Sequence, residues 1–202
     1  LRLGYTQSKW VAEQLLLQAQ ERGIPTAIYR IGRVAGHTET GACQTDDYLW
    51  RLTQSCLEAG SMPELNLGIS VVPADVVSGA IVRLSRRADA HGRVFHVGTP
   101  QPLPLGNVTS WLRDHGYPVE ALPYDEWFKR VTALGQTSGA YALLPLVRGA
   151  AEGGALRFDC STTLAMLEEA GLTCPVVDDR LMSTYFRYFT EVGWLPAPPV
   201  RA

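Results

Sequence analysis

The sequence predicts an α/β protein. Residues 1–105 read as the C-terminal portion of a doubly wound parallel sheet, and residues 106–202 as a mainly helical lobe. Three observations carry this reading. Helix-like and strand-like segments alternate through about residue 97, with Gly and Pro between them, as in βαβ units. Past the prolines at 100, 102 and 104 the strand signal fades and helical periodicity dominates. The length of 202 residues with 46% hydrophobic side chains permits one domain or one and a half, with a real core.

The elements follow in order. From Tyr5 to about Arg22 the pattern is helical, with Val11, Leu15 and Ala19 at i+4 and Ala12 and Leu16 beside them. Gly23 ends this helix and Pro25 prevents its continuation. Thr26 to Ile31 is a short buried strand, and Gly32 to Gly41 a polar loop with glycines at 32, 36 and 41. That loop is not a dinucleotide fingerprint, because Gly32 and Gly36 lack a third glycine in register. It is either a ligand loop at the carboxyl end of a strand or a plain surface connection. Asp46 to Ala59 reads as a helix with Leu49, Leu52, Cys56 and Leu57 inward, and Gly68 to Val72 as a strand. A helix starts at Pro73-Ala74-Asp75 and runs to Ser85, where Pro suits a first turn and Asp75 the positive end of the dipole. Its apolar stripe is Val76, Val77, Ala80, Ile81 and Leu84. Arg93 to Val97 is the next strand.

In the second part, Gly106–Asp114 and Tyr124–Leu134 read as helices joined by an irregular stretch at 118–122. Tyr141–Val147 is a short apolar helix and 149–154 a small-residue loop. A helix follows Phe158-Asp159-Cys160-Ser161 and ends at Gly171. The last helix, Asp178–Val192, carries Tyr185, Phe186, Tyr188 and Phe189, a group that reads as core packing.

Composition excludes several functions. The net charge is -2 and no basic stripe is present, which argues against nucleic acid as a partner. No apolar run approaches the ~20 residues needed to span a bilayer, and no signal-peptide pattern opens the chain. Cys43, Cys56, Cys160 and Cys174 are widely spaced without a CxxC, so neither a metal site nor a disulfide framework is expected. Reduced thiols in a cytoplasmic protein are the expectation.

The most informative segment is Tyr5-Thr6-Gln7-Ser8-Lys9. Four residues at ~1.5 Å rise place Tyr5 and Lys9 on one helix face, a turn apart. A tyrosine ordinarily ionises near pH ~10, and a neighbouring ammonium stabilises its phenolate. The pair is therefore a candidate proton donor, and the same ammonium can hold a ligand hydroxyl. The alternative is an ordinary exposed helix pair. Composition favours the first reading: Lys9 and Lys129 are the two lysines among 18 basic side chains. A chain that otherwise uses Arg places a compact point charge here.

Gly4-Tyr5-Thr6-Gln7-Ser8-Lys9-Trp10-Val11-Ala12-Glu13 is similar to the YxxSKxxAE segment of extended short-chain dehydrogenase/reductases. Ile28-Tyr29-Arg30-Ile31-Gly32-Arg33-Val34-Ala35-Gly36 resembles the YRPGRxxG segment of one branch. Those are the thioester reductase domains that terminate nonribosomal peptide synthetases, polyketide hybrids and carboxylic acid reductases. Val71–Val77 and Val94–Val97 fit later segments of that branch. The resemblance runs over most of the chain and is strongest to about residue 100.

The resemblance implies a Rossmann-like sheet with a substrate-binding lobe, and NADPH-dependent release of a carrier-bound peptidyl or acyl thioester as an aldehyde or onward to the alcohol. It implies Tyr5 and Lys9 as catalytic residues, and Tyr5, Lys9, Ile31, Gly32 and Arg33 at the cofactor. The implied partner is an acyl- or peptidyl-phosphopantetheine on a carrier-protein domain. The family's Gly-rich loop, its 2′-phosphate-binding Arg and its catalytic Ser/Thr lie upstream of this stretch. The expectation is thus the C-terminal part of a longer polypeptide, unable alone to grip NADPH or reduce a thioester. Ile31 stands where the family has Pro. A sugar-nucleotide epimerase or reductase, which shares the Tyr-Lys pair, and a non-catalytic carrier-docking module are the alternatives.

Overall fold

The computed structural model describes residues 4–99, 101–135, 139–153 and 158–199. The first helix, α1 (Gly4–Glu21), ends at Gly23, whose φ of 80° is the left-handed conformation that a glycine adopts without strain. The chain then enters β1 (Ile28–Ile31) and, after Gly32 alone, β2 (Arg33–Ala35). The polar loop expected from Gly32 therefore begins later, at Gly36. Arg33, Val34 and Ala35 have β-compatible side chains and find a partner strand elsewhere in the sequence.

That partner is a product of the next segment. The helix α2 (Tyr48–Glu58) is capped by Asp47, whose carboxylate accepts from the Leu49 N–H. Two short strands follow it, β3 (Ser61–Glu64) and β4 (Gly68–Ile69). The strand expected over Gly68–Val72 is broken at Ser70, after which β5 (Val71–Pro73) runs parallel to β2. Pro73 is the N-cap of α3 (Ala74–Ser85), and α3 buries Val76, Val77, Ala80 and Leu84 as its spacing predicts. Ala88–Ala90 forms a 3₁₀ turn before β6 (Val94–Val97), which pairs parallel with β1.

The partner switch is the organising feature. The Gly32 N–H bonds the Val97 carbonyl at 2.8 Å, and the Arg33 N–H bonds the Ser70 carbonyl at 2.8 Å. One continuous stretch thus lies beside β6 up to Gly32 and beside β5 after it. Two strand pairs diverge at Gly32, at the carboxyl ends of β1 and β6 and the amino ends of β2 and β5, and a crevice opens there.

The second part contains α4 (Leu105–Asp114), α5 (Tyr124–Leu134), α6 (Gly139–Gly153), α7 (Ser161–Glu169) and α8 (Asp179–Glu191). It also contains two strands that the sequence pattern does not announce. The first, β7 (Leu103–Pro104), pairs antiparallel with β4. The second, β8 (Glu120–Pro123), pairs parallel with β3. The helix α6 runs past the expected end at Val147, through Pro145 and over residues 149–153, where a loop was expected; residue 154 lies outside the described residues.

Two buried clusters hold these elements. The larger joins Leu49, Trp50 and Cys56 of α2 to Trp127 of α5 and to Tyr185, Phe186 and Phe189 of α8. The aromatic group of α8 is core, as its spacing indicates: Trp50 meets Phe189 edge-on with centroids 4.9 Å apart. The smaller cluster joins Val72, Ala80 and Leu84 to Phe95 on β6 and Met166 on α7. Each fully buried aliphatic or aromatic side chain stabilises the fold by roughly 1.5–3 kcal/mol. By contrast α1 buries no residue, and Trp10, Val11, Leu15 and Leu16 are exposed.

Candidate functional site

The crevice at Gly32 widens into a cavity of about 1160 Å³. Its wall includes Tyr5 at the start of α1, Ile31, Gly32 and Arg33 at the strand switch, Asp47 at the N-cap of α2, and Ser70 between β4 and β5. Four of the five residues expected at a site, Tyr5, Ile31, Gly32 and Arg33, therefore share one cavity.

Tyr5 is 72% exposed and its phenol is open to a ligand. Lys9 stands one turn along the same face, with Nζ 5.5 Å from the centre of the Tyr5 ring. The ammonium thus reaches the site through Tyr5. The Ser8 hydroxyl donates to the Tyr5 carbonyl at 2.8 Å, a local bond within the first turn of α1.

A chain of polar contacts ties α1 to the strands. Glu13 on α1 accepts from Arg30 Nε on β1 at 3.0 Å and pairs with a second guanidinium nitrogen. The Arg30 hydrogen bond holds the Glu13 carboxyl below its ordinary range, against a smaller opposing effect of burial. Arg30 also meets His96 Nε2 on β6 at 3.2 Å, while His96 Nδ1 lies 3.2 Å from the Asp159 carbonyl. A guanidinium can only donate, so Nε2 is the acceptor and Nδ1 carries the proton. This chain of contacts links α1, which carries Tyr5, to β1 and β6.

Arg33 has a more specific partner than its sequence context shows. One guanidinium nitrogen donates to both carboxylate oxygens of Asp47, at 2.7 and 2.9 Å, and the guanidinium lies 5.3 Å from the Tyr48 ring centre. Burial pushes the Tyr48 phenol up to about 12, against the opposing charge of Arg33. Arg33 is thus clamped to the cap of α2 and forms wall. The sequence marks Asp46-Asp47 only as a helix start; nothing in it pairs residue 47 with residue 33.

The loop after β2 is pressed onto α8. The Tyr185 hydroxyl donates to the Gly36 carbonyl at 3.0 Å. A Cβ at Gly41, whose φ is 74°, would stand 2.5 Å from the Thr184 carbonyl oxygen. Thr38 then bonds Asp75 at the start of α3 through its hydroxyl at 2.6 Å and its N–H at 3.1 Å. A second cavity of about 1210 Å³ lies against the outer side of α8, lined by Glu39, His115, Arg180 and Arg187. It does not include Tyr5.

The thiols near the site are poor nucleophiles. Cys43, on the cavity wall, is pushed up to about 11 mainly by burial, and Cys56 to about 12. All four cysteines are free. Among the described residues no group of three or more His, Cys, Asp and Glu side chains could hold a metal ion, and no helix is long and apolar enough to cross a membrane.

Comparison with known proteins places this geometry among relatives. A family model described as male sterility protein, an NAD-binding type, matches residues 1–81. A linear gramicidin synthase polypeptide of Brevibacillus parabrevis is 34% identical over 201 residues, covering 96% of this chain and 4% of that protein. Glycine betaine reductase ATRR of Emericella nidulans is 35% identical over 207 residues, covering 98% of this chain and 16% of that protein. The crystal structure of the terminal R domain from the myxalamid PKS-NRPS pathway superposes with a TM-score of 0.89 at 38% identity. It matches 98% of this chain, which spans 52% of that domain. The chain thus spans a small part of the first two relatives and about half of the solved R domain.

Proposed function

Because the chain belongs to the family of reductase domains that terminate nonribosomal peptide synthetases, within the extended short-chain dehydrogenase/reductases, we propose that it takes part in NADPH-dependent reduction of a carrier-bound thioester. One observation carries the reading: Tyr5, with Lys9 5.5 Å from its ring, opens onto the same cavity as Ile31 and Gly32.

The residues fit the nicotinamide end of such a cofactor. Gly32 leaves its side of the crevice without a Cβ, Tyr5 presents a phenol to it, and Lys9 sets its ammonium 5.5 Å from the Tyr5 ring. Among the described residues no strand, glycine-rich turn and helix follow one another in the way that grips a pyrophosphate. In this proposal Tyr5, Lys9, Ile31 and Gly32 hold the nicotinamide side, and Arg33, clamped by Asp47, shapes the wall beside it. NADPH supplies a hydride to the carbonyl carbon when bound.

Tyr5 gives its phenolic proton to the carbonyl oxygen, and Lys9 keeps a positive charge beside the phenolate left behind. The substrate is then a thiohemiacetal. Its C–S bond breaks, the sulfur leaves with the hydroxyl proton as a thiol, and an aldehyde remains. A second round would give the alcohol. The carrier protein's phosphopantetheine brings the thioester to the cavity. Residues 1–105 carry the catalytic helix and strand switch, residues 106–202 the acyl side, in a cytoplasmic setting.

The test is to give the full-length protein NADPH and an acyl-pantetheine thioester. One aldehyde and one free thiol should form per NADPH oxidised. Conversion of a sugar nucleotide with the thioester left intact would favour the epimerase alternative instead.

A further inference from the structure

Ser70 occupies the point where the two strand pairs diverge, and its surroundings are unusual. Its carbonyl is fixed by the Arg33 N–H at 2.8 Å, so its backbone belongs to the sheet. Its hydroxyl makes no hydrogen bond to another described residue. It opens onto the Tyr5 cavity and onto an adjoining pocket of about 50 Å³ walled by His96, Phe158 and Cys160. Glycines flank it on both sides. A Cβ at Gly32 would lie 2.8 Å from Ser70 Oγ, and so would a Cβ at Gly98. Two strands that end at the site thus carry no side chain where one would crowd this hydroxyl.

We propose that Ser70 is a specificity-determining residue, whose hydroxyl donates to a carbonyl oxygen of the acyl or peptidyl chain next to the reacting thioester. The inference rests on the thioester-reductase reading. A half-buried hydroxyl without a partner among the described residues loses its water when a ligand fills the crevice, and that loss is unfavourable unless the ligand replaces the bond. A chain with an amide carbonyl near the thioester replaces it, and a plain alkyl chain does not. The pocket beyond Ser70 has room for a group of that size and little more. A site built around a hydrogen bond discriminates against ligands that lack it more sharply than an apolar site discriminates by size.

Two sources could supply the carbonyl: the acyl chain, or the carboxamide of the nicotinamide. The experiment separates them. Two pantetheine probes of equal length, with an amide in place of the thioester so that neither can be reduced, are titrated calorimetrically into the full-length protein and into Ser70→Ala. One probe carries a second amide in its acyl chain and the other is alkyl throughout. The wild type should bind the amide-bearing probe about tenfold more tightly, and Ser70→Ala should abolish that preference while leaving the alkyl probe unchanged. NADPH affinity should be the same in both proteins. Gly98→Ala, which drives a methyl against the hydroxyl, should reduce the preference as well. Because Ser70 Oγ has no hydrogen-bond partner among the described residues, Ser70→Ala should melt with the wild type, which separates this role from a structural one. Equal preference in wild type and variant overturns the proposal, as does a loss of NADPH affinity in its place. Probe binding with the predicted preference, but no reduction of the matching thioesters, would leave Ser70 in its role and remove the reductase reading. Binding of neither probe removes both.

Discussion

Lys9 and Arg33 both bring positive charge to the site, and they are held in different ways. Lys9 is free to place a point charge beside the Tyr5 ring, whereas Arg33 is committed to Asp47. Arg cannot replace Lys9, because a planar guanidinium cannot stand at the same point between the phenol and a ribose. Steady-state kinetics of Lys9→Arg should show turnover at least about tenfold below wild type, and near-normal turnover would remove Lys9 from the mechanism. Asp47 serves two groups at once, the Leu49 N–H and Arg33. Loss of an N-cap costs about 0.5–2 kcal/mol, and an orphaned guanidinium adds to it. Asp47→Ala should therefore lower the unfolding free energy by about 2 kcal/mol in urea titration, and Asp47→Asn, which still caps, by less. Equal losses in the two variants would mean that the cap contributes nothing. At this scale the sequence placed Tyr5 and Lys9 on one face of a helix, and the structure has them there, because that placement depends on local spacing alone. It did not show the pairing of Asp47 with Arg33 or the place of Ser70 beside Gly32 and Gly98, since each depends on segments far apart in the sequence.

Between elements, the loop after β2 packs closely against α8. Gly41→Ala would need both a left-handed residue and a Cβ inside van der Waals contact of Thr184 and Tyr188. It should destabilise the protein by more than about 1 kcal/mol and shift ligand affinity at the Tyr5 cavity; unchanged melting would contradict the packing. The Thr38–Asp75 link makes a pH-dependent contribution. Burial raises the Asp75 pKa, but the Thr38 hydroxyl and N–H outweigh it, so the folded value lies below the ordinary one. A group depressed on folding stabilises above its unfolded pKa, and that stability is lost as pH falls through the folded value. Thr38→Val should cost about 1–2 kcal/mol at pH 7, and the gap to wild type should close progressively below about pH 4. A gap that stays constant on acidification well below that point would exclude the linkage. The elements legible in the sequence were the helices α1, α2, α3, α4, α5, α7 and α8, and the strands β1 and β6. The strands β3, β7 and β8 were not, because they are two to four residues long and each includes a proline. Nothing local distinguishes them from loops, and their pairing across tens of residues decides their conformation. In α6, the small residues from Gly149 read as a loop, yet the helix continues over them to Gly153, held by the buried residues Leu143, Leu144 and Val147.

For the whole molecule, burial is uneven. The helices from α2 to α8 enclose two cores, while α1 leaves Trp10, Val11, Leu15 and Leu16 exposed. Exposed large apolar side chains in this number promote association. The 202-residue chain by itself should sediment as a concentration-dependent oligomer, and Leu15→Glu should shift it toward monomer; a monomer at all concentrations would show that these side chains are inert. The alternation of α and β segments made the overall class legible. The divergence of two strand pairs at Gly32 was hidden, because one uninterrupted stretch changes partner there. That divergence brings Tyr5 to the same cavity as the strand ends, and the central claim is that Tyr5 is the proton donor in thioester reduction at this cavity. The most direct test compares single-turnover reduction of an acyl-pantetheine thioester by full-length wild type and Tyr5→Phe at saturating NADPH. Loss of the donor should slow the reaction about 10²–10⁴-fold with NADPH affinity unchanged, whereas a rate within a few-fold of wild type would contradict the claim.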